Sequence, residues 1–405
     1  YVIISLDTIA YGGLVASRRI SDSTDAIKSR LLKFKEILKP LNAKVFAFSS
    51  VMRISNNNIN EEEKEYWNPW GTRIYQYSYH QHKSRVLNQA NCVINTVPAD
   101  ILEDYLNTRK RNFEINKLYL DWLQEAVFDT LVFSKDDTGE YGLNVEEAKT
   151  LEREAQARNL NAIIKTGADE IPLTLLARAI ADDECVKIKP VFFFEDSKSR
   201  ISKYEDISVE NCVKSQFSLA GVEFDTSVNP EIIMFINNFA YEQGDLVLGD
   251  VINSLNGKIE FPETPYFIAD INNANGSDNE LVRQLMNKKL QIGTMLGYSA
   301  YNTSANTIGS SLCIALNSFL ALKNGCFNQA AFKHLMAVRF LDDWAYQANV
   351  RKAVRESGLD FEEALNMHLE SFPRFENVLS SFLGLYLRPK YFLPWKRSFE
   401  IEIIL

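Results

Sequence analysis

The sequence predicts a parallel α/β protein and favours a (β/α)8-type barrel, N-terminally incomplete and followed by a C-terminal helical region. Short apolar, β-branched runs recur along the chain, and each is followed by polar residues and then by a helical pattern. These runs are continuous rather than alternating, which is typical of strands buried on both faces, as in parallel sheets. An open sheet, or two smaller α/β domains, is the alternative interpretation of the same rhythm.

The individual elements follow in chain order. The eight runs predicted as strands are Val2–Ser5, Lys44–Ser49, Thr130–Ser134, Asn161–Lys165, Lys187–Phe194, Ile232–Ile236, Tyr266–Asp270 and Gly293–Tyr298. The helical patterns between them include Asp25–Leu38, Val145–Arg158, Leu173–Ala181, Val209–Ala220 and Asn279–Lys288. Strands and helices that alternate in this way over about 300 residues favour a closed barrel over an open sheet.

Three segments interrupt the rhythm. Asn56–Gly71 is polar and then aromatic, and predicts a long loop over a pocket. Pro98–Phe128 predicts a long helical insertion, and Gln329–Leu369 predicts helices after the last strand. We therefore expect a barrel-like catalytic domain over residues 1–323 and a helical cap over residues 324–405.

Composition narrows the class of protein. The chain has 405 residues, of which 46% are hydrophobic, enough for a large core, and its net charge of −9 speaks against binding of a nucleic-acid backbone. No uninterrupted apolar run approaches the length of a membrane helix, so no membrane partner is expected. Five cysteines without CxxC spacing suit free thiols in a reducing compartment, which predicts a cytoplasmic protein. Because Tyr1 opens directly into a strand, we expect residues upstream of it.

Polar side chains collect just after the predicted strands. Apart from one arginine and one tyrosine, they are carboxylates and carboxamides: Asp7, Tyr11, Arg53, Asp136, Asp137, Asp169, Glu170, Asp270, Asn272, Asn275, Asn302 and Asn306. Because the carboxyl ends of parallel strands meet at one edge, we expect these side chains around one pocket. Crowded carboxylates raise one another's pKa, so one of them can act as an acid at neutral pH. Asparagine both donates and accepts hydrogen bonds, which suits sugar hydroxyl and acetamido groups.

Other chemistries find little support. The sequence has no HExxH or comparable metal spacing, and no phosphate-binding loop or GxGxxG motif follows a strand. We therefore predict neither a metal nor a cofactor.

Six phrases carry a family resemblance. They are SLDTIAYGGLVASR, FAFSSVMRIS, SKDDTGEYGLN, TGADEIPLTLLARA, ADINNANGSD and YSAYNTSANTIGSSL. Together they resemble a bacterial family of unknown function, numbered 4127, and the match runs in order over nearly the whole chain. The resemblance implies a further strand before Tyr1 but no particular activity.

A second resemblance implies a mechanism. The O-linked N-acetylglucosaminidase and hyaluronidase-type hexosaminidases carry two adjacent aspartates after a barrel strand, which Asp136 and Asp137 resemble. Asp270, with Asn272 and Asn275, looks like their later Asp-Asn motif, and Asn302 or Asn306 looks like their asparagine loop. The resemblance implies a glycoside hydrolase acting on an N-acetylated sugar by substrate-assisted acid/base catalysis. Asp136 would then orient the acetamido group, and Asp137 would protonate the leaving oxygen.

Two other classes remain open. Asp7, Asp136, Asp137, Asp169, Glu170 and Asp270 could bind Mg²⁺ or Mn²⁺ in a metal-dependent hydrolase. The same residues could also line a non-catalytic sugar-binding site. Substrate, linkage and oligomeric state are not predicted.

Overall fold

The computed structural model describes residues 1–89, 96–136, 138–182, 184–252, 258–395 and 397–405. The chain forms two compact units. The first unit contains Tyr1–Leu175 and Tyr204–Asp206, and the second contains Leu176–Lys203 and Ile207–Leu405. Each unit is built around its own parallel sheet.

The first unit has a four-stranded parallel sheet whose strands are neighbours in chain order. Its strands are β1 (Val2–Ser5), β2 (Val45–Val51), β3 (Thr130–Lys135) and β4 (Ala162–Thr166). Its helices are α1 (Leu6–Tyr11), α2 (Leu14–Arg19), α3 (Thr24–Leu38), α4 (Trp67–Val86), α5 (Ala99–Gln124) and α6 (Leu143–Ala157). Helix α7 (Ile171–Ala181) begins in the first unit and ends in the second.

The core of the first unit explains why its strands are continuous apolar runs. Leu131, Val132 and Phe133 are successive residues of β3 and all three are fully buried, so both faces of this strand are covered. Helix α5 contributes Ile115 and Tyr119 from its inner face to the same core. Each fully buried side chain of this size stabilises the fold by ~1.5–3 kcal/mol.

The second unit has a five-stranded parallel sheet in the order β11-β9-β7-β5-β6. Its strands are β5 (Val186–Phe192), β6 (Val222–Phe224), β7 (Ile232–Asn237), β8 (Gly244–Asp245), β9 (Tyr266–Asp270), β10 (Asn273–Ala274), β11 (Met295–Ser299), β12 (Lys390–Phe392) and β13 (Glu402–Ile404). Strands β8 and β10 form a short parallel pair, whereas β12 and β13 form an antiparallel pair.

Helices cover the sheet of the second unit. They are α8 (Val209–Ala220), α9 (Asn279–Met286), α10 (Ser304–Lys323), α11 (Gln329–Arg339), α12 (Arg351–Glu356), α13 (Phe361–His368) and α14 (Pro373–Leu383). An 11-residue π-helix, Phe340–Val350, joins α11 to α12. The rings of Tyr298 on β11 and Phe340 on the π-helix stack 4.3 Å apart, so the C-terminal helices share the core of this unit. The predicted division at residue 323 stays a prediction.

The pattern of strands and helices is confirmed. All eight predicted strands and the five predicted intervening helices are present, with ends within two residues of the prediction. The long insertion is α5, and the C-terminal segment is helical as expected. One detail was wrong, because α4 already begins at Trp67, within the predicted loop.

The parallel α/β class is therefore confirmed, whereas a closed barrel is not found. Among the described strands, no pairing joins the two sheets into one closed sheet, and β1 pairs only with β2. Alternation of strands and helices specifies parallel neighbours joined by crossovers, but it does not specify where a sheet closes. The barrel stays a prediction.

Helix α10 bears on the prediction that the chain has no membrane partner. Within the described residues it alone is long and apolar enough to cross a bilayer, but 78% of its most apolar window is buried inside the protein. Burial of this kind is what a core helix of a soluble protein shows. A cytoplasmic location stays a prediction.

Candidate functional site

An arginine at the end of β2 joins three carboxylates in the first unit. The Arg53 guanidinium donates from Nε to Glu63 Oε1 at 3.1 Å and from Nη2 to Glu62 Oε2 at 2.7 Å. Its Nη1 faces Asp136 Oδ2, just past the end of β3, at 3.4 Å. Arg53 therefore connects the loop after β2 with the loop after β3. We call Arg18, Arg53, Glu62, Glu63 and Asp136 the arginine–carboxylate cluster.

Helix α2 supplies the other side of this cluster. Its two C-terminal residues, Arg18 and Arg19, are cations in the last turn of a helix, where the helix dipole favours positive charge. Arg18 Nε lies 3.1 Å from Glu63 Oε1, and this arginine is almost completely buried. Arg19 donates to the backbone carbonyls of Asn60, Glu61 and Glu63. The acidic segment Glu61–Glu63 is thus bound to α2 through both its backbone carbonyls and its side chains.

Asp136 is the predicted catalytic residue that the structure describes. Its side chain is 17% exposed and that of Arg53 is 16% exposed, so both can meet a ligand from solvent. Asp137, the predicted acid, lies outside the described residues. Ser50 and Ser134 bring hydroxyl groups to the ends of β2 and β3, and their Oγ atoms are 2.9 Å apart.

Asp7 and Tyr11 are buried beneath this region instead of lining it. Asp7 accepts hydrogen bonds from the Ser50 backbone N–H at 2.8 Å and from Ser49 Oγ at 3.0 Å. Burial raises the pKa of Asp7 to about 6, although these hydrogen bonds oppose the increase. The Tyr11 ring lies under the Arg111 guanidinium at 5.5 Å. Both residues tie α1 to its neighbours, and their predicted contact with substrate stays a prediction.

At the end of β4 the two predicted acidic residues separate. Asp169 is exposed, whereas Glu170 is completely buried and its Oε1 accepts a hydrogen bond from Lys165 Nζ at 3.0 Å. A buried ion pair of this kind is fixed in place, because either charge alone would be costly to bury. Nearby, Asp206 pairs with Lys135 and also accepts a hydrogen bond from Thr166. Asp169 is thus accessible from solvent, whereas Glu170 has a structural role in the buried ion pair.

The remaining predicted residues lie in the second unit, where Asp270 and Asn272 belong to a buried network at the ends of β7, β9 and β11. Asp270 accepts from Asn237 Nδ2 at 2.8 Å, from the Asp278 backbone N–H at 2.7 Å and from Tyr298 Oη at 3.1 Å. Asn272 donates from Nδ2 to Asp278 Oδ2 at 2.9 Å. Asp270 and Asn272 have no exposed surface, so a sugar could not touch them without a rearrangement.

Asn275 and Asn302 come together by their backbones. The Asn275 N–H donates to the Asn302 carbonyl oxygen at 2.9 Å, and the φ angles of the two residues are +66° and +62°. This left-handed backbone is uncommon outside glycine, is tolerated best by asparagine and aspartate, and often marks functional segments. Asn306 is buried in the first turn of α10. Their predicted hydrogen bonds to sugar stay predictions.

The π-helix carries two adjacent aspartates, Asp342 and Asp343, close to this network. Asp343 accepts from the Ala300 backbone N–H at 2.8 Å, and Asp342 pairs with Arg339 at 2.8 Å. Burial raises the pKa of Asp343 to about 7 and that of Asp270 to about 8, the latter helped by the neighbouring charge of Asp278. The π-helix is a rare element, and single π-helical turns are frequent at functional sites.

Sequence reasoning missed part of both groups. Arg18, Glu62 and Glu63 belong to the cluster, yet none of them directly follows a strand. The adjacent arginines Arg18-Arg19 and the acidic run Glu61–Glu63 are complementary in charge, and this signal could have suggested their pairing. Asp342 and Asp343 lie in the C-terminal helical region, where no site residue was predicted.

No metal centre is apparent in the part of the chain that the structure describes, because nowhere do three His, Cys, Asp or Glu side chains meet in an arrangement suited to a metal ion. The predicted ligand set divides between the units, with Asp270 in the second unit and Asp7, Asp136, Asp169 and Glu170 in the first. Whether the two groups share one pocket stays a prediction.

Fold and site together define a parallel α/β protein with polar clusters at the carboxyl ends of its strands. The model of the family described as "Protein of unknown function (DUF4127)" matches residues 1–404, and the chain belongs to that family. No curated protein and no solved structure gives a significant match to the chain. The family resemblance of the six phrases is thereby confirmed, whereas the hexosaminidase likeness stays a prediction.

Proposed function

We propose that this protein is a glycoside hydrolase acting on an N-acetylated sugar, with its active site at the arginine–carboxylate cluster of the first unit. The observation that supports the proposal is the Asp136 carboxylate, which lies partly exposed at the end of β3 beside Arg53. A carboxylate that is paired with a guanidinium is an acceptor of hydrogen bonds. That property suits a group that must accept the N–H of an acetamido substituent.

The reaction needs two different carboxyl groups. Asp136 accepts the acetamido N–H, and this contact orients the acetamido oxygen for attack on the anomeric carbon. A new C–O bond forms there while the bond to the leaving oxygen breaks, and Asp137 gives its proton to that oxygen. Water then attacks the anomeric carbon and returns a proton to Asp137, and the acetamido group is restored. No enzyme nucleophile is required.

The surroundings of Asp136 suit a polyhydroxylated ligand. Glu62 and Asp169 are accessible acceptors, and Arg53 is a donor in the same region of the first unit. A sugar-binding site also needs an aromatic side chain, and Trp67 is not available because it is buried in a hydrophobic cluster. Tyr75 is better placed, because a Cβ on Gly139, in the loop after β3, would stand 3.6 Å from its hydroxyl.

A panel of N-acetylhexosaminides with graded leaving groups tests the proposal. Asp137→Asn removes the acid, so poor leaving groups should slow by ~10²–10⁴-fold while activated aryl glycosides slow far less. Asp136→Asn removes assistance to the acetamido attack, so all leaving groups should slow alike. Asp25→Asn, which changes an exposed carboxylate on α3, should behave as wild type.

Three results would count against this assignment. Identical leaving-group profiles for Asp136→Asn and Asp137→Asn would reject their separate roles. Loss of wild-type activity in EDTA would favour a metal-dependent hydrolase instead. Binding of N-acetylated sugars without turnover, together with little loss of affinity in Asp137→Asn, would favour a sugar-binding protein.

A further inference from the structure

Helix α6 follows the loop that carries Asp136, and it begins without a cap of its own. Its N-cap residue is Gly142, which has no side chain to accept from the exposed N–H groups of the first turn. Two side chains of α4 take that role. Ser78 Oγ accepts from the Leu143 N–H at 2.8 Å, and His82 Nδ1 accepts from the Gly142 N–H at 3.1 Å.

Helix α4 also contacts Tyr141, the residue before Gly142 in this loop. The rings of Tyr79 and His82 contact the Tyr141 ring with centroids 5.4 Å and 5.7 Å away. Ser78 and His82 are four residues apart, so they lie on one face of the helix. Both are buried, which makes their hydrogen bonds to the start of α6 difficult to replace by water.

We propose that Ser78 and His82 are positioning residues that fix the start of α6, and through it the loop bearing Asp136, and that the His82 bond holds only while the imidazole is neutral. The effect on catalysis rests on the proposed function, but the anchor itself does not. His82 acts through backbone hydrogen bonds and is not assigned a contact with substrate.

The dependence on protonation follows from the geometry. A neutral imidazole that accepts at Nδ1 carries its proton on Nε2, whereas the cation carries a proton on each nitrogen. Protonation would therefore place an Nδ1–H against the Gly142 N–H, and the hydrogen bond would be lost. Burial lowers the pKa of His82 below its ordinary value, so the anchor is intact at neutral pH.

Several charges near the imidazole act on its protonation in opposite directions. Glu146 on α6 raises the pKa of His82, whereas Lys149 on α6 and Arg85 on α4 lower it. The ring of Tyr141, in the loop before α6, also faces the imidazole, with the two centroids 5.7 Å apart. These charged residues line, together with Glu152 and Arg153 of α6, a groove of about 470 Å³ beside His82. Protons from solvent can therefore reach the site.

Hydrogen exchange of the peptide that spans residues 138–145 tests the anchor directly. His82→Leu removes the acceptor of the Gly142 N–H, and Ser78→Ala removes the acceptor of the Leu143 N–H. Each substitution should therefore speed the exchange of that peptide by roughly tenfold. His82→Asn keeps an acceptor near the Nδ1 position but cannot be protonated, and it should remain close to wild type. His80→Asn changes a histidine on the same helix and serves as the matched control.

The pH dependence of exchange tests whether the His82 hydrogen bond requires a neutral imidazole. Between about pH 7.5 and pH 5, wild type and His80→Asn should gain exchange beyond the intrinsic rate change, whereas His82→Asn should not. Unchanged exchange in both His82→Leu and Ser78→Ala, or an equal pH response in His82→Asn, would overturn the proposal. If His82→Leu does not fold, Ser78→Ala and the wild-type pH response still decide.

Activity adds a separable result. With an N-acetylhexosaminide substrate, His82→Leu should lower kcat/KM by roughly tenfold, and His82→Asn should restore it. Altered exchange in a protein that hydrolyses no such substrate would reject the proposed function and keep the anchor. Full activity together with unaltered exchange in His82→Leu would reject the anchor and keep the function.

Discussion

Replacing Gly167 by alanine tests the placement of Glu170 as a fixed structural ion pair. Gly167 follows β4 with a φ of +107°, a backbone conformation that alanine rarely adopts. A Cβ at this position would stand 2.0 Å from Glu170 Oε1 and 2.7 Å from its Cδ. The carboxylate would have to move, but it is fully buried and held by Lys165 at 3.0 Å.

The expected cost follows from these two effects. The unfavourable backbone alone costs ~1–3 kcal/mol. Displacing one member of a buried ion pair costs a further ~3–5 kcal/mol. Gly12→Ala is the matched control in the same unit, because Gly12 has a φ of +93° and its added Cβ would meet only Ala16 Cβ at 3.9 Å. We expect Gly167→Ala to lose at least ~3 kcal/mol more unfolding free energy than Gly12→Ala.

Urea unfolding followed by tryptophan fluorescence measures the difference, since Trp67 and Trp122 are both buried in the first unit. Equal losses in Gly167→Ala and Gly12→Ala would refute the reasoning, because Glu170 could then leave its place without cost. In that event Glu170 would return to the group of accessible carboxylates, where the sequence first suggested it belongs.

Two further predictions concern the networks in the two units. The pKa of Asp270 is raised from 3.8 to about 8 in the folded protein. As pH rises from about 4 to 8, the unfolded chain loses the Asp270 proton while the folded chain keeps it, which favours unfolding. The free energy of unfolding should therefore fall by about 5 kcal/mol over this range. Urea unfolding across that pH range should show a clearly flatter decline for Asp270→Asn, and an unchanged decline would contradict the burial of the charge. In the first unit, Arg53→Met removes the cation between Glu62, Glu63 and Asp136, so the free energy of unfolding should fall by ~3 kcal/mol or more in thermal unfolding. Arg53→Lys keeps a positive charge and should lose less. Equal stability of Arg53→Met and wild type would argue against the cluster.

The sequence predicted the elements well because local patterns decide them. Thr130–Lys135 is a strand buried on all but its last residue, and its continuous apolar run indicated as much. Ala99–Gln124 is a long amphipathic helix, as the spacing of its apolar residues predicted. In both, burial follows from residues that are adjacent in sequence.

What the sequence did not predict depends on contacts between distant residues. Glu170 and Asp270 lie at strand ends, as expected of site residues, yet both are fully buried. Glu170 pairs with Lys165, and Asp270 accepts hydrogen bonds from Asn237, Asp278 and Tyr298. Arg18 and Glu63 are 45 positions apart, and only the folded chain shows that they pair. A strand-end position thus predicted the neighbourhood of a polar side chain but not its exposure.

The most direct test of the central claim is a crystal structure of the protein with a thiazoline derived from N-acetylglucosamine, which resembles the cyclised acetamido group of the proposed reaction. We predict that the ligand binds in the first unit, with its ring nitrogen within hydrogen-bond distance of Asp136 and a hydroxyl near Arg53 or Glu62. A ligand bound elsewhere, with the contact between Arg53 and Asp136 unchanged, would contradict the proposed active site. Absence of binding at millimolar concentration would do so equally.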